Sequence, residues 1–401
     1  MPSSRFFYGW LVVAAAFAVT FVGFGCAYAF SAFMESLQRD FGASRGSVSL
    51  VFAFAGFLYF ALGIISGPLA DCWGARLLAI FGMVLVGLGL ILASFARTIT
   101  EVYAAYSLGI GVGVGAAYVP AVGAVQRWFV RRRGFASGLA VSGIGVGTLV
   151  MPPLAALLIS SFGWRQAYLV LGIVALIVGV GMALFIVDDP KDRGLSPDGE
   201  TAPAKGGHVA QGFAVADAVR TPQFLGLYAA CLICAFGVFV PFVHLVPYAL
   251  DRGIDASSAV LLIGAIGVGS TAGRFFLGGL ADRMGRQSFL LATFIAMAAT
   301  LAIWAVATSF WPLALFALLF GAAYGGWVAI LPAVVMDHFG GRNVSSLIGI
   351  LYTSVAFGTL IGPSAAGFIF DINHSYLLPI LASVAANVVA AFVAWSVSKR
   401  G

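Results

Sequence analysis

The chain has 401 residues, of which 61% are apolar and 9% are charged, and its formal net charge is +6 at pH 7. A soluble domain carries roughly 25% charged residues, so this chain has too few charges to cover a globule of its size. Cys231 and Cys234 have CxxC spacing, but they lie in an apolar run without further ligands nearby. The composition therefore favours an integral membrane protein and predicts neither a bound metal nor a cofactor.

Twelve segments are long and apolar enough to cross a bilayer, which requires about 20 helical residues. They are 7–34, 47–70, 76–96, 99–126, 134–160, 165–187, 223–250, 257–281, 288–307, 311–336, 345–370 and 375–397. The first is longer than the apolar core of a signal peptide, about 7–15 residues, so it is predicted to be retained. The predicted fold class is an all-α integral membrane protein.

Most predicted spans are joined by short connections, and the exception is the segment 188–222. This segment is polar and rich in proline, glycine, aspartate and lysine, which is typical of a flexible linker. The sequence thus predicts an N-terminal bundle of six helices over residues 1–187, a cytoplasmic linker over 188–222, and a C-terminal bundle of six helices over 223–401.

The basic residues orient the predicted helices, because cytoplasmic loops carry an excess of lysine and arginine. Of the 21 basic residues, 15 lie on the side of the two termini, five lie on the opposite side, and Arg274 lies within a span. Both termini are therefore predicted to be cytoplasmic, with the chain in the inner (plasma) membrane of the cell. Since the charges are spread over many loops, they do not indicate a nucleic-acid-binding face.

Two loops of the chain repeat one another. The segment GPLADCWGAR at 67–76 recurs as GGLADRMGRQ at 278–287, with five identities at a constant offset of 211 residues. In both copies the segment follows the second predicted helix of its half. Because the segment then lies on the same side of the membrane in both halves, the halves are predicted to be parallel repeats related by an axis along the membrane normal. Such repeats place a substrate site near the midplane between them.

These loops resemble the loop signature of the major facilitator superfamily, G-x-L-A-D-R-x-G-R-R, although Cys72 stands where the first copy would carry an arginine. The resemblance implies the fold of that superfamily, a monomer that functions alone, and a latch between helices on the cytoplasmic side. The predicted latch residues are Asp71, Arg76, Asp282, Arg283 and Arg286. The alternative is that they are surface charges that cap helix ends.

A second stretch, WFVRRRGFASGLAVSG at 128–143, is similar to the fifth-helix signature of the monocarboxylate transporter family. The first-helix signature of that family is half present, because Tyr8, Gly9 and Trp10 fit while Arg5 replaces an acid. The large loop and tail of the animal members are missing, which suggests a bacterial relative. The resemblance implies a carrier of short monocarboxylates, and its members use an arginine of the eighth helix to bind the substrate carboxylate.

Arg274 lies in the eighth predicted span, about 10 Å from its inner end at 1.5 Å per residue. An arginine in mid-membrane costs about 2.5–3.5 kcal/mol on insertion scales, and the equivalent position of the first repeat is Gly63. Every aspartate and glutamate lies in a loop or at a span end, so the natural counter-ion of Arg274 is a substrate carboxylate. The alternatives are snorkelling to the interface and a buried ion pair.

Three tyrosines lie at mid-span depth on helices that line the cavity in this fold: Tyr118, Tyr324 and Tyr352. A tyrosine offers an apolar ring to a short carbon chain and a hydroxyl to a carboxylate or hydroxy group. Packing between helices is the alternative for each of them. Weaker candidates are Tyr28, Phe357, Tyr376 and Asn387.

His244, near the outer end of the seventh span, is the candidate for a coupling proton because histidine titrates near neutral pH. A neutral histidine that only packs between helices is the alternative. Animal monocarboxylate transporters carry an aspartate one turn before the arginine, where this chain has Ser270. The proton is therefore expected on His244 or on the substrate itself.

Three functions remain open. A proton-linked carrier of lactate-like or pyruvate-like acids is favoured, because the core holds one cation. An anion exchanger of the oxalate–formate type would also carry a lysine in the eleventh span, and residues 345–370 contain neither lysine nor arginine. A carboxylate sensor that does not transport is less favoured, because the tails outside the predicted spans are short. No set of residues suited to catalysis is present, so an enzyme is not expected.

Overall fold

The computed structural model describes the backbone of residues 7–129, 132–199, 213–340 and 344–398, and the secondary structure of these residues is helical. Eleven helices are long and apolar enough to cross a membrane. Arg45–Ala61 and Gly63–Ala70 are bent by 42° relative to each other, and if this pair is one span the number of membrane-crossing helices among the described residues is twelve. The prediction of an all-α membrane protein is confirmed.

The twelve helices are numbered here in chain order. Helices 1 to 6 are Gly9–Phe41, Arg45–Ala61 with Gly63–Trp73, Ala75–Ser94, Ile99–Trp128, Arg133–Phe162 and Trp164–Ala183. Helices 7 to 12 are Pro222–Asp251, Ala256–Phe276 followed by Gly278–Met284, Arg286–Val306, Phe310–Phe339, Val344–Asn373 and Leu377–Ser398. These bounds lie within a few residues of the predicted spans, apart from one helix end.

Helix 1 is longer than predicted, because it continues to Phe41 rather than ending near residue 34. The added turns are polar. They are stabilised by an ion pair between residues one helical turn apart, in which Arg39 Nη2 lies 2.7 Å from Glu35 Oε1. Gly42 then ends the helix with a left-handed backbone (φ 59°), which glycine adopts without steric cost. The hydropathy of the sequence marks the apolar part of a helix, not its full length.

Two helix pairs make the most extensive contacts between the N-terminal and the C-terminal half of the chain: helix 2 packs on helix 11, and helix 5 packs on helix 8. Both contacts use glycine. A Cβ atom on Gly367 would lie 2.7 Å from Gly46 Cα, and one on Gly267 would lie 2.6 Å from the Gly145 carbonyl oxygen. Small residues let helix backbones approach closely in a membrane, so these contacts depend on the missing side chains.

The two ends of the helix bundle differ. We call the end where helix 1 begins and helix 12 ends the terminal face, and the opposite end the distal face. At the distal face, Arg45 of helix 2 forms an ion pair with Asp251 of helix 7 at 2.5 Å. Towards the terminal face, a cleft of about 220 Å³ lies between helices 2, 4 and 11. The halves are therefore tied together at the distal face and separated by a cleft near the terminal face.

Candidate functional site

A small cavity of about 30 Å³ lies between the two halves of the chain. The four predicted substrate-binding residues, Arg274, Tyr118, Tyr324 and Tyr352, all line it, although they come from four different helices. The other lining residues are Phe24, Tyr28, Phe60, Ile144, Phe239, Trp327, Val328, Leu331 and Val355. The structure thus brings together the residues that the sequence analysis singled out, inside a wall that is otherwise aromatic and aliphatic.

Arg274 supplies the charge of this cavity. Its Nη1 donates a hydrogen bond of 3.1 Å to the carbonyl oxygen of Val141 in helix 5, across the contact between the halves. Its Nε is buried and has no hydrogen-bond partner among the described residues. No carboxylate side chain is among the described residues that line the cavity. Since an arginine has five N–H donors, the guanidinium retains donors for an anion.

Two of the tyrosines are held by aromatic neighbours within their own half or across the cavity. The ring of Tyr118 packs edge to face on Phe24, with centroids 5.2 Å apart, and the ring of Tyr352 packs on Phe60 at 6.0 Å. Such pairs prefer edge-to-face geometry because the ring edge is positive and the face negative. The rings are therefore positioned by helices 1 and 2, while their hydroxyl groups remain available to a ligand.

Tyr28 and Tyr324 close the cavity on its distal side. Their hydroxyl groups lie 3.3 Å apart, and one belongs to each half of the chain. Tyr28 also stacks on Phe242 of helix 7, with ring centroids 4.7 Å apart. These contacts cross between the halves, so they must break if the cavity opens towards the distal face.

One strong candidate in the cavity wall, Trp327, is not among the residues predicted from the sequence. Trp327 is 1% exposed, and its indole Nε1 has no hydrogen-bond partner among the described residues. Ser270, four residues before Arg274, is likewise buried with an unpartnered hydroxyl in the part of the chain that the structure describes. Helical spacing could have indicated Trp327, because it follows Tyr324 by three residues and so shares its face.

His244 does not line the cavity. It lies in helix 7 nearer the distal face and is fully buried. Its Nε2 is 2.8 Å from the carbonyl oxygen of Pro363, and its Nδ1 is 3.1 Å from the hydroxyl of Tyr376. The candidate coupling residue is therefore bonded to residues outside the cavity wall.

The predicted latch residues lie at the terminal face. Arg76 Nε donates to the Ile186 carbonyl oxygen at 2.6 Å, and Arg286 forms an ion pair with Asp337 at 2.6 Å. Each of these contacts joins two parts of the same half, and Arg283 is exposed. The side chains of Asp71 and Asp282 lie outside the described residues. The latch remains a prediction.

The two cysteines with CxxC spacing lie in the interior of the helix bundle. Cys231 and Cys234 are both free and buried, and Cys234 Sγ donates to Asn387 Oδ1 at 3.3 Å. Among the residues that the structure describes, no group of three or more His, Cys, Asp or Glu side chains could hold a metal ion. The pair contributes to the packing of helices 7 and 12.

Comparison with known sequences identifies the family. The profile described as Major Facilitator Superfamily matches residues 15–299 and 225–400. The chain belongs to the Major Facilitator Superfamily. Within it, monocarboxylate transporter 12-B of Danio rerio is 29% identical over 98% of this chain and 87% of its own length. Monocarboxylate transporter 11 of Homo sapiens is 30% identical over 94% of this chain and 80% of its own length.

A solved structure shows the same fold. A bacterial homologue of the human lysosomal transporter Spinster, in an inward-facing and unoccupied conformation, superposes with a TM-score of 0.75 over 98% of this chain and 97% of its own. At 17% identity this likeness shows the fold alone. The chain is thus a multi-pass membrane transporter of the Major Facilitator Superfamily, related to the monocarboxylate transporters.

Proposed function

We propose that this transporter carries short monocarboxylates, such as lactate and pyruvate, together with a proton by alternating access. One observation carries the proposal: Arg274 lines an aromatic cavity whose other described lining residues include no carboxylate. Two relatives that match over more than nine-tenths of the chain are named monocarboxylate transporters. The substrate carboxylate would neutralise Arg274, while the surrounding rings contact the short carbon chain.

The geometry of Arg274 suits one carboxylate group. Nη1 is engaged by Val141, so the Nε edge of the guanidinium is the free edge, and a carboxylate can accept two parallel hydrogen bonds from it. The unpartnered Trp327 Nε1 offers a further donor in the same cavity wall. An acid with an oxygen on its second carbon can accept from this donor, which favours 2-hydroxy and 2-oxo acids.

A proton is proposed as the coupling ion for an electrostatic reason. A carboxylate that enters alone carries its charge against the membrane potential, at about 2.3 kcal/mol per charge per 100 mV. Symport of one proton removes this cost, and so does exchange for a second anion. We favour symport in a monomer whose terminal face lies in the cytoplasm of the cell. The two six-helix halves 1–187 and 223–401, connected by the linker 188–222, would rock against each other.

Uptake of labelled L-lactate into proteoliposomes tests the proposal. We expect an inward proton gradient to stimulate uptake by the wild type, and Arg274→Gln to abolish it. Arg39→Gln is the matched control, because Arg39 is an exposed arginine at the distal end of helix 1. Its uptake should equal that of the wild type.

Each alternative has its own outcome. Uptake that ignores the gradient but requires carboxylate loaded inside the vesicles would indicate an anion exchanger. Specific binding of lactate without any uptake would indicate a sensor. Undiminished uptake by Arg274→Gln would contradict the assignment of the carboxylate site.

A further inference from the structure

One arginine ties the two halves together at the distal face. Arg45 begins helix 2, and its Nη1 and Nη2 donate to the two carboxylate oxygens of Asp251 at 2.5 and 2.6 Å. The backbone N–H groups of Arg45 and Gly46 donate to the carboxylate of Asp371, at 3.0 and 2.8 Å. Bidentate pairs of this kind are strong and directional. We call Arg45, Asp251, Asp371 and Tyr376 the distal clamp.

Tyr376 connects this clamp to His244. Arg45 Nη1 donates to the Tyr376 hydroxyl at 3.1 Å, and that hydroxyl lies 3.1 Å from His244 Nδ1. Tyr376 lies between helices 11 and 12, and its burial raises the pKa of its phenol, so the hydroxyl keeps its hydrogen. A hydrogen-bonded path therefore runs from the ion pair that closes the distal face to a titratable group buried in helix 7.

The direction of these hydrogen bonds follows from their acceptors. The carbonyl oxygen of Pro363, 2.8 Å from His244 Nε2, can only accept, so Nε2 carries a hydrogen. In the neutral imidazole, Nδ1 is then an acceptor and takes the hydrogen of Tyr376. Donation thus runs in one direction, from Arg45 to Tyr376 to His244 to Pro363. The closed clamp of this structure fits a neutral His244.

A proton on His244 is incompatible with this arrangement. Both ring nitrogens of a histidinium are donors, so Nδ1 and Arg45 would both donate to the Tyr376 hydroxyl, whose own hydrogen would lose its acceptor. Two cations would then flank one hydroxyl group. Among the described residues, the second charged group that acts on His244 is Asp371 of helix 11, which the backbone of Arg45 and Gly46 already engages. Protonation therefore weakens the bonds that Arg45 makes in the clamp.

We propose that His244 binds the coupling proton and that protonation there releases the distal clamp, so that the empty transporter opens towards the distal face. This inference rests on the proton symport proposed above. Once the clamp is released, the carboxylate can reach Arg274 from the distal side. Release of the clamp also explains why a titratable residue that does not touch the substrate cavity can control access to it.

The distance between two spin labels at the distal face tests this inference. Arg39→Cys and Ala256→Cys place labels on exposed positions of helices 1 and 8, one in each half. Cys72→Ser removes the exposed native cysteine, while Cys26, Cys231 and Cys234 are buried. The distances are measured by double electron–electron resonance on the full chain in nanodiscs without substrate. The two pH values, about 8 and about 5, lie on either side of the usual pKa of histidine.

We expect a longer distance to appear on acidification. One linked proton changes an equilibrium by up to about tenfold per pH unit, so the ratio of open to closed states should rise by about tenfold or more. His244→Gln should remain closed at both pH values, because its amide can donate to Pro363 and accept from Tyr376 without titrating. Tyr376→Phe retains the ring that stacks on Phe370 at 4.4 Å but removes the hydroxyl, and should abolish the pH response.

Tyr248→Phe is the matched control for the tyrosine change. Tyr248 packs against Tyr376 at 6.0 Å, but its hydroxyl donates to the Ala307 carbonyl oxygen at 2.7 Å, so its loss should leave the pH response intact. A wild-type distance that does not change with pH would overturn the inference. A His244→Gln distance that still responds would also overturn it, because the clamp carboxylates Asp251 or Asp371 would then be the groups that titrate.

The lactate uptake assay separates this inference from the proposed function. If uptake requires Arg274 while the label distance ignores His244, the coupling role of His244 is wrong and the carboxylate carrier stands. If no carboxylate is transported while the distance still depends on His244, the substrate is wrong and the proton-controlled clamp stands.

Discussion

Arg274→Lys retains a positive charge in the cavity but removes the two parallel donors of the guanidinium edge. The lysine ammonium is a compact charge that does not match a carboxylate bidentately. In the structure, Arg274 bonds the Val141 carbonyl oxygen through Nη1 while its Nε edge stays free. A lysine must satisfy the carbonyl and the substrate with one nitrogen, so we expect it to lose one charge-assisted hydrogen bond to the substrate.

The size of this loss can be estimated. A hydrogen bond to a charged group contributes about 1.5–3 kcal/mol, which corresponds to an increase in KM of about 10- to 150-fold. Uptake of L-lactate into proteoliposomes under a fixed proton gradient, measured over a range of concentrations, gives KM and the maximal rate separately. Arg39→Lys, at an exposed position outside the cavity, is the control and should leave both unchanged.

Two results would refute this reasoning. A KM for Arg274→Lys equal to that of the wild type would show that a point charge suffices and that no bidentate contact forms. A lower maximal rate with an unchanged KM would show that Arg274 acts on the rocking of the halves, not on substrate binding. In the second case its bond to Val141 would be its main role.

Three further predictions follow from the packing of the chain. Trp327→Phe should raise KM for L-lactate about fivefold, since a neutral hydrogen bond contributes about 1 kcal/mol, but should leave KM for propionate, which has no 2-hydroxyl, unchanged. Gly267→Ala should slow lactate uptake, because its Cβ would lie 2.6 Å from the Gly145 oxygen, whereas Gly123→Ala, with nothing within 4 Å, should not. The exposed Cys72 should react with a membrane-impermeant maleimide in inside-out vesicles and not in right-side-out ones.

The helices themselves were largely predictable from the sequence. The bilayer imposes a length and an apolar composition on each span, so the predicted bounds agree with the helices to within a few residues. Helix 1 is the exception, because its last turns are stabilised by the Glu35–Arg39 pair and lie beyond the apolar stretch that hydropathy detects. The resemblance of the paired loops to the major facilitator signature is matched by the family comparison.

The candidate site was predictable in part. Arg274 was identifiable because a charge within a membrane span is costly and demands a partner. The tyrosines were identifiable from their depth and from the helices that line the cavity in this fold, and the structure places them in one cavity. Trp327 was missed, because an unpartnered indole N–H becomes visible only when its neighbours are known. Arg45 was one of several basic loop residues in the sequence, and nothing marked it as the centre of a clamp.

The sequence by itself determined that this chain lies in a membrane, where the apolar part of each helix lies, and which helix carries a cation within its span. Those properties are local, because each follows from the free energy of placing a stretch of residues in hydrocarbon. Only the tertiary structure decided that His244 contacts Tyr376, and through it Arg45, rather than the cavity. His244 and Tyr376 are separated by 132 positions along the chain, and Arg45 and Tyr376 by 331. Such contacts depend on how the helices of the two halves pack, and hydropathy carries no information about that packing.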